Sequence, residues 1–284
     1  MKRLYLSLKG YGDLVVLAYS LCMAPQDLEV EVIVSERLVE MAKVLMPPKV
    51  LISSIASIHG PLPLYSLRNK GLKIFDGIAD LRKAVKKSMD NGSALVLDKF
   101  SYRNEALFYL IPHSYLPKAE NIYFSYALEF GSQQLNISSV KNFSKAQSSI
   151  IFPFGSSADR SMSNELIEKL CNLFSKKNVV AKIVCHESDR ARIPMKLIEN
   201  CVFFKSSDEL VQLIKGVQLL ISVDTVAIHL ANYFDIPTFV VSDGWIFFIP
   251  PNVLSENRLY QSSQSERLRK DLNCFLGGVH AISF

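Results

Sequence analysis

The sequence predicts an α/β protein built from two Rossmann-like blocks, each a parallel sheet with helices on its faces. Three observations carry this expectation. Short apolar, β-branched runs alternate with helix-period segments through most of the 284 residues. The alternation begins twice, near residue 3 and again near residue 149, with a polar stretch between the two beginnings. Apolar residues make up 49% and charged residues 21%, as in a globular chain with a sizeable core. The length suits two domains of roughly 130 to 150 residues each.

In order, "RLYLSL" (3–8) reads as a strand, 13–23 as a helix, "EVEVIV" (29–34) as a strand, 36–46 as a helix and "KVLISS" (49–54) as a third strand. From 55 to 145 the pattern thins around Pro61, Pro63, Pro112 and Pro117. Only "ALVL" (94–97) reads there as a strand, among helices and long loops. "NISSVKNFSKAQSS" (136–149) has the composition of a linker. Strands then read at 149–154, 179–185, 201–205, 217–223 and 237–242, with helices at 164–177, 208–216 and 225–234. Helical periodicity returns in 265–276 and stops at Gly277 and Gly278; it suits a helix on its own domain or one crossing back to the first. The expected divisions are 1–145, 146–264 and 265–284.

The net charge of +5 is uneven: residues 1–145 carry 18 Lys and Arg against 13 Asp and Glu, while residues 146–284 carry 14 of each. An excess confined to one half suits an anionic partner there, or scattered solvated lysines. Its densest part, "LRKAVKK" (81–87), has helical spacing and no interleaved aromatics, which argues against a nucleic-acid groove. The five cysteines (Cys22, Cys171, Cys185, Cys201, Cys274) form no C-x-x-C pair and read as the reduced thiols of a cytoplasmic protein. The N-terminal "MKRLYLSL" imitates a secretion signal until glycines, Lys9 and Asp13 interrupt it. No apolar run reaches the roughly 18 residues of a membrane span, so the chain is expected to lie on a membrane at most.

In open parallel sheets ligands bind where strands end and helices begin. Four such turns carry chemistry here. "KGYGD" (9–13) brings Gly10, Gly12 and Asp13 after the first strand, and Asp13 suits a helix cap or a base. Val15 stands where a G-x-G-x-x-G fingerprint needs its third glycine. "FPFGSSADRSMS" (152–163) offers Ser156, Ser157 and Arg160 beside a helix start, a cradle for a diphosphate or a capped polar turn. "ISVDTVAIHLAN" (221–232) runs a buried strand into Asp224 and Thr225, with His229 in the second helical turn, suited to a ligand or to the core. "CHESDRAR" (185–192) offers Glu187 to ribose hydroxyls, or forms a charged surface turn. No acidic cluster at a strand end has the form of a D-x-D metal site, so no metal is expected.

The order of these turns resembles that of the ADP-heptose:lipopolysaccharide heptosyltransferases, glycosyltransferase family nine. The resemblance rests on Gly12-Asp13, on Ser156 and Arg160, and on "DTVAIHLA" (224–231), similar to the family's D-T-G-x-x-H-L-A. It covers the first β-α-β unit and most of the C-terminal half. Val226 replaces the signature glycine, Met162 and Ser163 stand in place of Trp-Pro, and "SDGWIFFIPPN" (242–252) replaces a G-x-T-x-P loop.

The resemblance implies the GT-B fold of two facing Rossmann-like domains and an inverting, metal-independent sugar transfer. Asp13 would be the general base. Gly12, Ser156, Ser157, Arg160, Asp224, Thr225 and His229 would hold the donor diphosphate, and Glu187 the ribose. The nucleotide sugar, ADP-heptose first among candidates, is a co-substrate, and no cofactor is implied. The implied acceptor is an anionic glycan or glycolipid such as a lipopolysaccharide intermediate, met at the cytoplasmic face of the inner membrane. An epimerase or hydrolase on the same fold, and a silent transferase-like binding protein, are the alternatives.

Overall fold

The computed structural model describes residues 2–8, 10–55, 73–131, 148–155, 160–176, 179–242, 246–255, 259–260 and 270. The chain divides into two compact units, Met1–Leu135 and Asn136–Phe284.

Unit 1 holds a five-stranded parallel sheet of order β3-β2-β1-β4-β5, made of β1 (Lys2–Ser7), β2 (Val30–Ser35), β3 (Val50–Ile55), β4 (Ser93–Leu97) and β5 (His113–Tyr115). All six residues of β2 are buried, as expected of a strand covered on both faces. The alternation along β1 sorts the two layers. Leu4 and Leu8 join Leu95 and Leu97 under Leu81 and Val85 of α3 (Lys73–Asp90) and Leu107 of α4 (Tyr102–Leu107). Tyr5 faces the other way, its ring 6.1 Å from those of Tyr126 in α5 (Ile122–Glu129) and of Phe130. On that same layer Tyr123 of α5 meets Tyr19 of α1 (Tyr11–Cys22) at 5.6 Å. Helix α2 (Val39–Leu45) follows β2 after one turn of 3₁₀ helix. At the amino end of the sheet, buried Glu31 is held by Lys2 Nζ at 2.9 Å and by the Ser88 hydroxyl at 2.8 Å.

Unit 2 repeats the plan with six parallel strands of order β11-β10-β9-β6-β7-β8. They are β6 (Ser149–Phe152), β7 (Ala181–His186), β8 (Cys201–Phe204), β9 (Leu219–Val223), β10 (Thr238–Val241) and the short β11 (Leu259–Tyr260). Helix α6 (Asn164–Lys176) buries Ile167, Leu170 and Phe174, one helical face, against Ile151, Ile183 and Ile221. Helices α7 (Ser207–Lys215) and α8 (Val226–Tyr233) follow β8 and β9. Ile228 of α8 and Val240 of β10 meet Ile249 and, from α9 (Pro251–Ser255), Val253 in a separate cluster, so the atypical stretch is anchored at its Ile249 end by an apolar plug.

Two strands were not expected, β5 and β11, and both are short sheet edges. The linker and most of 265–284 lie outside the described residues. Among the described residues, no helix is long and apolar enough to cross a membrane. Within the same set, no three His, Cys, Asp or Glu side chains gather as metal ligands would.

Candidate functional site

In each sheet the chain order reverses at one point, between β1 and β4 in unit 1 and between β6 and β9 in unit 2. Such a reversal leaves a crevice outside the carboxyl ends of the two strands, because their crossover connections leave in opposite directions. The registers Tyr5↔Val96 and Ile151↔Ile221 make the pairs end side by side. The turns after β1, β4, β6 and β9 therefore define the two crevices.

In unit 1 the turn is tighter than the sequence implies. Helix α1 starts at Tyr11 with Gly10 as its N-cap, and the first intrahelical bond is Leu14 N–H to Gly10 O at 3.3 Å. Asp13 is thus the third helical residue and not the cap, a correction to one of its two expected roles. Its carboxylate folds back over the cap, with Oδ2 3.5 Å from where a Cβ on Gly10 would stand. There it lies in the first turn, where a negative charge complements the helix dipole. Gly12 is the second helical residue, among the amides that a helix start presents to caps or ligands.

Neighbouring strand ends add residues that the sequence reading did not single out. Arg37 follows β2, with its guanidinium 5.5 Å from the centre of the Tyr11 ring. Asp98 follows β4 and accepts from the Lys99 amide at 2.9 Å. Burial, helped by Asp98, Tyr5, Asp13 and Glu129, pushes the Tyr126 phenol well above its ordinary pKa. Tyr126 is therefore a neutral phenol at ordinary pH. The same strand-end rule that selected Asp13 would have found Arg37 and Asp98.

In unit 2 the chain after β6 doubles back on itself. A Cβ on Gly155 would lie 2.4 Å from Arg160 O, so only glycine fits this approach. Met162 N–H donates to Pro153 O at 2.8 Å and closes the loop, while the Met162 side chain is buried in the core. That anchoring role explains a methionine at this position. The Ser161 hydroxyl ties the loop down: Gly155 N–H donates to it at 3.2 Å and Arg192 Nη2 at 2.8 Å. Arg192 also stacks on Phe154, its guanidinium carbon 4.1 Å from the ring centre. These groups hold up Arg160, which is exposed. Ser156 and Ser157 lie outside the described residues.

Arg160 is close enough to Asp224, at the end of β9, to influence its titration. Burial raises the Asp224 pKa and the Arg160 charge opposes the rise. Thr225 is the N-cap of α8, its Oγ1 accepting from Ala227 N–H at 3.2 Å. Val226 is the first helical residue. His229 is buried one turn further on, and burial lowers its pKa to about 4. It is neutral at ordinary pH and can offer an N–H but no positive charge. The structure thus brings Arg160, Asp224 and Thr225 to one crevice, with His229 beneath it. Glu187 stands apart at the end of β7, half-exposed and paired with Arg190 at 3.3 Å.

Two parallel-sheet units of this topology, with their polar residues gathered at the strand ends, form the GT-B fold. Neither the models of known families nor the curated proteins include a match to the sequence. Solved structures do match. E. coli heptosyltransferase WaaC with ADP is 13% identical at a TM-score of 0.63, covering 92% of both chains. E. coli ADP-heptose lps heptosyltransferase II is 13% identical at 0.62, covering 97% of this chain and 98% of that one. A glycosyl transferase family 9 protein from Veillonella parvula is 11% identical at 0.63, covering 95% and 88%.

Proposed function

We propose that the protein is an inverting glycosyltransferase that moves heptose or a related sugar from a nucleoside-diphosphate donor to an anionic surface-glycan or glycolipid acceptor. The observation that carries this reading is the placement of Arg160 and Asp224 on the same strand-reversal crevice of unit 2, near enough for the Arg160 charge to bear on the Asp224 carboxyl, at the kind of position where open parallel sheets bind ligands. ADP-heptose is the first candidate donor, because similar solved structures hold ADP and ADP-2-deoxy-2-fluoro heptose.

In the proposed reaction the acceptor hydroxyl oxygen forms a bond to the anomeric carbon while the bond from that carbon to the diphosphate breaks. Asp13 takes the hydroxyl proton. The departing diphosphate gains negative charge, which Arg160 and the amides at the start of α8 stabilise in place of a metal ion. Ser156, Ser157 and Gly12 would add donors, His229 a neutral N–H behind them, and Glu187 would accept from the ribose. The acceptor would be met at the cytoplasmic face of the inner membrane.

Calorimetry with ADP, UDP, GDP and CMP tests the donor half. ADP should bind most tightly, and Arg160→Ala should weaken it at least about tenfold, the worth of one hydrogen bond to a charged group. Failure of all four nucleotides to bind would rule the reading out.

A further inference from the structure

On the edge of unit 1, α4 breaks the rule that a surface helix turns its polar side to water. Its outward positions are Tyr102 and Ala106, continued by Tyr109 and Leu110 in the turn beyond and preceded by Phe100. Phe100 is 59% exposed, Tyr102 84%, Tyr109 68% and Leu110 81%. Tyr102 and Ala106 stand one turn apart on α4, the Phe100 ring lies 5.6 Å from that of Tyr102, and Tyr109 and Leu110 follow just past the end of the helix, while Leu107, Phe108 and Ile111 are buried in the core. Four large apolar side chains exposed between residues 100 and 110 are more than the scattered single ones of an ordinary surface, and such clustering points to an interaction site.

The turn is held in a form that the fold itself does not reward. Leu110 has a φ of 62°, in the left-handed region that favours Gly or Asn, yet its side chain packs mostly against water. The carbonyls of Leu107, Phe108 and Tyr109 are already satisfied: Arg82 donates to Leu107 O at 2.6 Å and to Tyr109 O at 2.7 Å, and Ile111 N–H donates to Phe108 O at 2.8 Å. Such a tip can leave water without stranding its hydrogen-bond acceptors. Arg82 belongs to α3, whose exposed face adds Lys83, Lys86 and Lys87 against Asp80 and Asp90. Among the described residues, none of these three lysines is in a salt bridge. Glu105 on α4 is turned to Tyr115 and His113.

We infer that the face formed by Phe100, Tyr102, Tyr109 and Leu110, with the cations of α3, docks on an anionic lipid bilayer. It rests on the reading of a membrane-borne acceptor and gives that acceptor's membrane a landing surface. The aromatic rings and Leu110 enter the headgroup region while the lysine ammoniums meet lipid phosphates. A second copy of the chain is disfavoured, because it would bring two basic faces together.

The test is sedimentation of the full chain, without nucleotide, on vesicles of equal parts phosphatidylglycerol and phosphatidylethanolamine or of phosphatidylcholine alone. Retention is expected on the anionic vesicles, falling in high salt and on phosphatidylcholine. Leu110→Asn should lower vesicle affinity about tenfold with a Tm at or above the parent's. Lys83→Gln and Lys86→Gln should each lower affinity about fivefold. No retention of the parent chain on anionic vesicles, or unchanged affinity in all three variants, overturns the inference. So does loss of a dimer in Leu110→Asn with vesicle binding intact. Transfer to a delipidated acceptor is measured on the same variants: its persistence when docking fails leaves the transferase reading standing, and its absence from a chain that docks counts against that reading alone.

Discussion

Replacing Gly155 by alanine probes the loop that presents Arg160. The new Cβ would lie 2.4 Å from Arg160 O and 2.9 Å from Arg160 Cβ. Relaxed contacts lie near 3.5 Å, so the loop must open by about 1 Å. Backbone rather than a flexible side chain has to move, and overpacking of this kind costs about 1 to 3 kcal/mol. That corresponds to a Tm lower by roughly 3 to 10 °C for a domain of this size. The opening displaces Arg160, whose bonds to a phosphate are worth about 1.5 to 3 kcal/mol, so the Kd for ADP should rise about 10- to 100-fold. Thermal unfolding and calorimetry with ADP read the two effects. Gly216→Ala is the control: its Cβ would meet Gln212 O at an ordinary 3.5 Å, and both readings should stay near the parent's. A Gly155→Ala protein with parental Tm and an ADP Kd within about twofold would refute the claim that this close approach positions the cation.

Three further outcomes concern pH and stability. His229 has its folded pKa lowered to about 4 from 6.5, so its contribution is complete above pH 6.5 and is lost as pH falls toward 4. The loss amounts to about 3 kcal/mol, and His229→Gln should flatten the unfolding free energy across that window. At Glu31 burial raises the pKa, but hydrogen bonds from Lys2 and Ser88 and the Lys2 charge outweigh it and leave it below 4.5. Its stabilisation is present above that pH and lost below it; Glu31→Gln should cost about 1 to 3 kcal/mol at neutral pH and remove this acid sensitivity, as denaturant titrations at several pH values would show. Asp224 has a raised pKa, chiefly from burial, so its ionised form opposes folding at neutral pH. Asp224→Asn should therefore raise the Tm of the nucleotide-free protein, as expected for a residue kept for binding rather than stability.

The alternation of short apolar runs made both sheets legible, because strands buried on two faces, such as Val30–Ser35, read as unbroken hydrophobic stretches. β5 escaped because it is a three-residue edge strand between Pro112 and Pro117 and buries little. Helix α3 was legible only in part, as the helical spacing of 81–87, because its charged outer face lowers its mean hydropathy and leaves Leu81 and Val85 as its periodic apolar positions. At the candidate site, strand-end logic pointed to Asp13, Arg160 and Asp224, which the structure places after β1, after β6 and after β9. It misplaced the start of α1 by two residues, because Tyr11 and Gly12 look like turn residues while Gly10 does the capping. The loop architecture was hidden for another reason: Ser161, Arg192 and Phe154 are far apart in sequence and meet only in space.

The central claim, base-assisted sugar transfer by Asp13, is tested most directly by ADP release from ADP-heptose on addition of a lipopolysaccharide core acceptor, comparing the parent chain with Asp13→Asn. Acceptor-dependent release by the parent should fall by about two to four orders of magnitude in the variant, with ADP affinity and Tm retained. Release by the variant at the parental rate would contradict the account.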